Sequence, residues 1–363
     1  MKKIGILTFH CAHNYGAVLQ CYALQEYLIS LGYDARVINY RPSYLFKAYR
    51  IISRKGLRTK NPLRLIRNIF HELMMAPVRC VRRHNFNRFI RNMLILTPPV
   101  SRNEIPSDFD AYVVGSDQIW NPDITRGFDN VYFCNFPFRK EDRRYISYAA
   151  SAEMDSLSTE DSDFYRRVLP GLDSISVREQ KLKEILQPLV QKKIDQVLDP
   201  ALLVDSQMWG KIASSNPVKD KYVLVYQVRE DKDTEMVARH LAEQLGVRVV
   251  SLVAKVDSWR SDACLTASPE DFVTMIRDAE CVVTTSFHAT AFSIIFNKPF
   301  YAVRLNDGKD SRVGSLLASL ELEDRLIEKN DRPDFSGVEY TEANRRLHVL
   351  RTESQDYLKS ALS

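Results

Sequence analysis

The sequence predicts two doubly wound, Rossmann-like α/β domains facing each other across a cleft. Three observations carry that expectation: strand-like apolar runs alternate with helical patterns, the alternation starts afresh near Tyr222, and 363 residues exceed what one core usually serves. The expected boundaries are a first domain at 1–205 with a basic helical insertion at 47–92, and a second domain at 206–335. Residues 336–363 should form a polar helix whose Leu347, Leu350, Tyr357, Leu358 and Leu362 are available to cross back onto the first domain.

In chain order, residues 3–8 read as a buried strand and Asn14-Tyr15-Gly16 as a turn. Residues 17–31 read as a helix with Leu19, Ala23, Leu24, Tyr27 and Leu28 on one face. Gly32 ends that helix and 35–40 supplies the next strand, completing a βαβ unit that should be parallel and right-handed. After the insertion, 111–115 is a central strand that runs into the polar loop 116–122. Strands follow at 145–149, 174–177 and 196–198 before Asp199-Pro200 breaks the pattern. The second unit repeats the scheme, with strands at 222–226, 248–253, 281–284 and 300–303 and helices around 234–245, 269–278 and from Phe287.

Composition removes several classes. A hydrophobic share of 45% and a charged share of 27% are those of a globular protein, and no apolar run approaches the roughly 20 residues of a membrane span. The amino terminus is basic, but its short apolar stretch meets His10 and Asn14 where a secretory signal would carry small residues, so a cytoplasmic protein is expected. Six scattered cysteines form no C-x-x-C pair, which argues against structural zinc and a disulfide framework. Cys281, in an apolar run, reads as a buried thiol. The dinucleotide, P-loop, zinc-protease and nucleophile-elbow fingerprints are absent.

Charge is unevenly placed. Residues 47–92 hold thirteen Lys or Arg against the single acid Glu72, a net +12, which leaves about −7 for the rest of a chain whose total is +5. Leu63, Ile66, Ile69, Phe70, Leu73 and Met74 recur there at helical spacing beside Arg64 and Arg67. Two readings stay open: a peripheral contact with an anionic membrane, or apolar residues packed on the protein's own core with a solvated basic face.

The candidate chemistry sits at strand ends. In 282–293 an apolar strand gives way to hydroxyls, His288 and a helix. Free backbone N–H groups with Ser286, Phe287 and His288 would form an anion site there, unless Ser286 only caps the helix and His288 is a satisfied interior histidine. Arg178 ends the strand at 174–177, and its guanidinium suits a bidentate anion clamp, though pairing with Glu179 is the plainer fate. Asn14, Tyr15 and Gly16, Ser116, Asp117, Gln118 and Trp120, and Tyr148 bring amides, hydroxyls, aromatics and one carboxylate to strand ends, groups that recognise sugars but also populate ordinary turns. Asp117 is the potential general base among them.

Six ordered blocks carry a resemblance: N-Y-G-A-V-L-Q-x-Y-A-L from Asn14, V-V-G-S-D-Q-I-W-N-P from Val113, S-V-R-E from Ser176, L-D-P-A-L-L-V from Leu198, S-F-H-A-T-A-F-S-I-I-F-N-K-P-F from Ser286, and D-S-R-V from Asp310. Together, over roughly residues 4–325, the chain resembles the polysaccharide pyruvyl transferases. The resemblance implies a GT-B-like fold, phosphoenolpyruvate as co-substrate with no other cofactor, and a pyruvate ketal bridging two hydroxyls of a carbohydrate acceptor; the chemistry of that transfer needs no metal, and the sequence shows no acidic metal cluster. The acceptor expected is a capsule or exopolysaccharide precursor, in one version lipid-linked at the inner face of the plasma membrane. No nucleic acid is implied.

Carried over by residue, the S-V-R-E arginine is Arg178 and the S-F-H histidine is His288, the leading phosphoenolpyruvate ligands. Ser286, Phe287 and Arg312 join the donor side, while Asn14, Tyr15, Gly16, Ser116, Asp117, Gln118, Trp120 and Tyr148 form the acceptor side. Several branches of the family carry an Asp after the Gly of the first turn, where this chain has Ala17, so the base role falls to Asp117. Two rival readings share these features: a GT-B glycosyltransferase using a nucleotide sugar, and a non-catalytic subunit of a polysaccharide assembly complex.

Overall fold

A computed structural model describes residues 1–52, 59, 61–258, 260, 262–305 and 311–363, the side chains of 46–48 excepted. Residues 53–58 and 60 of the basic insertion, and Asp310 of the last sequence block, lie outside the described residues. The first sheet is built from β1 (Lys3–Leu7), β2 (Asp34–Val37), β3 (Ala111–Val114) and β4 (Arg144–Ser147) in the order β2-β1-β3-β4, all parallel. A parallel pair, β5 (Ile175–Val177) and β6 (Ile194–Gln196), continues it through bridges from Ile146 to Ser174 and from Ala150 to Val177.

The second sheet takes β7 (Tyr222–Gln227), β8 (Arg248–Val253), β9 (Ala263–Cys264), β10 (Cys281–Thr284), β11 (Phe300–Val303) and β12 (Leu326–Ile327) in the parallel order β12-β11-β10-β7-β8-β9. Near-continuous apolar strands such as Tyr222–Gln227, buried at every position, suit a parallel sheet covered on both faces. The fold is therefore the expected pair of doubly wound α/β units. Strand β6 lies two residues earlier than expected. The two-residue edges β9 and β12 have no apolar run for a sequence to show.

Each sheet has one switch point, between β1 and β3 and between β7 and β10, where connections leave in opposite directions and a crevice opens at the strands' carboxyl ends. The two crevices face each other. One apolar cluster bridges the domains: the helix Tyr15–Ser30 is buried nearly all round because its own sheet covers one side and the helices Pro269–Arg277 and Phe287–Ile295 the other. Cys281 is buried as expected, and burial pushes its thiol up to about 12.

Two long helices tie the domains further. Pro62–Met93, capped by Asn61, reaches from the first domain onto the second. Its Arg79 donates to the Val256 carbonyl at 2.8 Å, Arg82 to that of Ala254 at 3.2 Å, and Asn85 to that of Thr266 at 2.7 Å. The closing helix Thr341–Leu362 returns to the first sheet, where Tyr357 donates to the Ser147 carbonyl at 2.9 Å and Ser354 accepts from the Leu198 amide at 2.9 Å.

Candidate active site

Between the switch points lies a cleft of about 380 Å³, lined from the first domain by Asn14, Asp117, Gln118 and Glu153 and from the second by Ser286, Phe287, His288 and Arg312. A neighbouring cavity of about 300 Å³ is lined by Arg178, Glu179, Asp199, Lys183 and Lys193. Phe287 and Arg312 border both. The candidate residues thus divide between two connected spaces.

On the second-domain side, β10 ends in Thr284, and Ser286 caps the helix Phe287–Ile295, its hydroxyl accepting from the Ala289 amide at 3.4 Å. His288 then lies in the first turn, where amides lack helical partners and the dipole is positive. Its imidazole packs against the opposite domain. A β-carbon on Gly16 would lie 2.1 Å from His288 Nδ1, so only glycine admits the ring there. His288 Nε2 stands 3.5 Å from Asp199 Oδ2 but makes no hydrogen bond, and Arg312 Nε is likewise buried without a hydrogen-bond partner.

The first-domain side is a closed ionic network. Arg178, 5% exposed, donates from Nε to Glu179 at 3.0 Å, from Nη1 to Asp199 at 2.7 Å and from Nη2 to Ser151 at 2.9 Å, and its guanidinium lies 4.6 Å from the centre of the Phe287 ring. Burial alone would lift the Asp199 carboxyl. The charges of His288 and Arg178, with the Ala201 amide at 2.9 Å, outweigh burial and hold it well below the usual carboxylate range. Burial also opposes the charge on Arg178, but Glu179 and Asp199 overcome it and keep the guanidinium protonated. Arg178 is therefore not the open anion clamp expected: each of its three nitrogens already has a partner, and it faces the neighbouring cavity. Its place beside His288 is mediated by Asp199 of the L-D-P-A-L-L-V block, for which the sequence alone shows no role.

Asp117 comes two residues after Gly115, whose φ of +121° and surroundings exclude a side chain, since a β-carbon there would lie 2.0 Å from the Tyr148 carbonyl oxygen. Asp117 itself takes φ +66°, a conformation Asp tolerates, and its carboxylate accepts from the Gln118 amide at 2.9 Å. Gln118 reaches across the cleft. Oriented to satisfy both ends of its amide, its oxygen accepts from Arg312 Nη1 at 2.9 Å and Nη2 at 3.1 Å, and Arg312 also donates to Glu153 at 3.3 Å. Asn14 caps the helix Tyr15–Ser30 at the cleft wall.

Four acceptor-side expectations are corrected. Tyr15 is fully buried, stacked 4.7 Å from Phe272, and donates to the Ala267 carbonyl at 2.9 Å, so it pins the domains together. Trp120 is fully buried against Phe133, its indole N–H on the Tyr132 carbonyl at 2.8 Å. Tyr148 is fully buried with its hydroxyl on the Leu198 carbonyl at 2.9 Å. Ser116 is buried between the Ala149 carbonyl at 3.0 Å and Asp199 at 3.1 Å. All four hold the site's frame and none offers a face to a ligand. Among the described residues, no group of three or more His, Cys, Asp or Glu is placed to hold a metal ion.

The family model for polysaccharide pyruvyl transferase matches residues 14–307. The chain belongs to the polysaccharide pyruvyl transferase family. The match spans both walls of the cleft and takes in Asp117, Arg178, Asp199 and His288, while Arg312 lies just beyond it. No protein of curated function matches the chain. Similar solved structures include UDP-N-acetylglucosamine 2-epimerase from Rickettsia bellii, at 10% identity over 100% of this chain and 97% of that one with a TM-score of 0.44. UDP-GlcNAc 2-epimerase from Neisseria meningitidis bound to UDP-GlcNAc is similar at 11% identity over 99% and 94%, TM-score 0.44, and the spinosyn rhamnosyltransferase SpnG at 10% over 99% and 96%, TM-score 0.39. The fold assignment for this member of the family rests on its own strand order, not on these likenesses.

Proposed function

We propose that the cleft moves the enolpyruvyl unit of phosphoenolpyruvate onto two hydroxyls of a sugar in a bacterial surface-polysaccharide precursor, forming a pyruvate ketal and releasing phosphate. One observation carries this reading: Arg312 Nε, a buried donor without a hydrogen-bond partner, and His288, whose Nε2 stands 3.5 Å from Asp199, border the same cleft as the free N–H end of the helix Phe287–Ile295. Such an arrangement favours a small, multiply charged anion. Arg312 and the helix start would hold the donor's phosphate and carboxylate, and His288, facing the ionised Asp199, would hold the proton delivered to C3.

Protonation at C3 makes C2 electrophilic. A sugar hydroxyl attacks C2 and gives its proton to Asp117, the C2–O bond to phosphate breaks, and a second hydroxyl closes the ketal. Of the two hydroxyl protons, one balances that gained by the new methyl group and the other leaves with phosphate. Arg178 would act through Asp199, fixing the carboxylate that faces His288.

The test is incubation of the purified protein with phosphoenolpyruvate and a panel of free and lipid-linked glycans, following phosphate and product mass. Phosphate release matched one-to-one by a pyruvylated glycan supports the reading. Turnover of a nucleotide sugar with no consumption of phosphoenolpyruvate would replace it with glycosyl transfer, and no turnover of either would favour a binding subunit.

A further inference from the structure

The helix Pro62–Met93 has an outward face that the cleft does not use. Along its first half Leu63 is 77% exposed, Ile66 65%, Phe70 66%, Leu73 61% and Met74 60%. Successive spacings of three and four residues place Leu63, Ile66, Phe70 and Leu73 on one stripe, with Met74 beside it. The opposite face turns inward, where Glu72 pairs with Arg79 at 2.5 Å and Met75 packs in a cluster with Val253, Val256 and Leu265. The polarity of an ordinary surface helix is reversed in this first half, whereas farther along Phe86, Phe89 and Ile90 turn inward. The reading in which the stripe residues fill the protein's own core does not hold.

We infer that this stripe is a docking surface for an anionic lipid bilayer, on which the helix lies without crossing. Among the described residues no helix is long and apolar enough to cross a membrane. A contiguous apolar patch of this kind marks an interaction site, and an amphipathic helix buries it at the boundary between lipid headgroups and chains. Charge selects the occupant. Arg64, Arg67 and His71 are exposed beside the stripe, and farther along the helix His84, Arg88 and Arg91 are also exposed. Within 47–92 the single acid Glu72 is already turned inward on Arg79, so a second copy packed through this stripe would bring cations against cations. An anionic surface supplies the missing charge. The anchoring is stiff: the second half of the same helix donates from Arg82 to the Tyr15 hydroxyl at 2.9 Å, at the junction of the two domains. Docking would therefore fix the cleft relative to the bilayer. The inference stands whichever donor the cleft takes.

The test is co-sedimentation of the full chain with vesicles of phosphatidylglycerol and phosphatidylcholine, against phosphatidylcholine alone. Binding to the anionic vesicles at low salt is expected, weakening as salt screens the exposed charges. Arg64→Gln and Arg67→Gln should each lower partitioning about fivefold. The double variant Phe70→Ser, Leu73→Ser should lower it more than about tenfold, with thermal unfolding unchanged because both side chains are exposed. A wild-type protein that stays in the supernatant with anionic vesicles at low salt overturns the inference. So does binding that the apolar double variant leaves intact. A dimer seen by light scattering, broken by the same variant in a protein that ignores vesicles, would assign the stripe to a second copy instead.

Discussion

The two walls of the cleft present opposite chemistry. The first-domain wall offers the Asp117 carboxylate, and behind it, on the neighbouring cavity, the charges are closed on one another, with Arg178 held by Glu179, Asp199 and Ser151 and an acceptor, Glu179 Oε2, left without a hydrogen bond. On the second-domain wall the buried donor left over is Arg312 Nε, beside the free N–H end of the helix Phe287–Ile295, and His288 Nε2 faces Asp199 at 3.5 Å. An anion needs donors and a hydroxyl that must lose its proton needs an acceptor, and the proposed reaction accordingly puts the donor substrate on the second wall and the sugar on the first. The contrast also separates two arginines that look alike in sequence, one a fixed part of the frame and one at the rim of both cavities.

The hardest test of that separation is Arg178→Ala. Removing this buried cation takes from Glu179 and Asp199 the guanidinium they share, a loss of roughly 3–5 kcal/mol and a melting temperature lower by on the order of 10 °C. Transfer should be abolished as well. A variant that melts like the wild type would show Arg178 to be a removable ligand and would dissolve the distinction between the walls. Next in size is Asp117→Asn. If Asp117 takes a hydroxyl proton only as the transition state forms, kcat falls about 10²- to 10⁴-fold while KM for phosphoenolpyruvate changes little. An equal rise in that KM would move Asp117 to the donor side.

How far this site could be read in advance depended on where each signal resides. The run from Val282 through Ser286 to His288 is legible because apolar strand, hydroxyl cap and helix follow one another in the chain, and local sequence dictates such a junction. Asp199 is not, because Asp199-Pro200 reads as a turn. Its partners Arg178 and His288 lie 21 and 89 positions away, and only the fold brings them to one carboxylate. Tyr15, Trp120 and Tyr148 misled for a different reason: an aromatic with a polar tip at a strand end serves a sugar face or a core equally well, and burial decides which. In the helix Pro62–Met93 periodicity revealed the stripe, yet period alone does not say toward which side it turns.

A smaller effect is expected from Arg312→Gln. Its guanidinium holds Gln118 and Glu153 but is less enclosed than that of Arg178, so losing it should leave the melting temperature within about 2 °C of the wild type. A charged hydrogen bond to the donor is worth roughly 2–3 kcal/mol, which predicts a rise in KM for phosphoenolpyruvate of about 30- to 150-fold, read by steady-state kinetics. Stability lost without any change in KM would make Arg312 a frame residue like Arg178 and leave the second wall without its cation.

The smallest effect isolates the carboxylate that links the two walls. Asp199 is held below its ordinary value of 3.8, so in the folded state it stays ionised at acidities where the unfolded chain has already taken up a proton. Its contribution to stability is therefore fully present above about pH 4, and is lost as the pH falls from there toward the lowered folded value. Asp199→Asn removes that titration. The variant should be less stable than the wild type near neutrality, and the gap should narrow by about 1 kcal/mol as the pH is taken from about 6 to about 3, because only the wild type has this proton to bind. Chemical denaturation at each pH measures the gap directly, and other carboxylates cancel between the two proteins. A gap that stays constant with pH would mean that Asp199 is not held ionised by His288 and Arg178, and the walls would then be joined by packing rather than by charge.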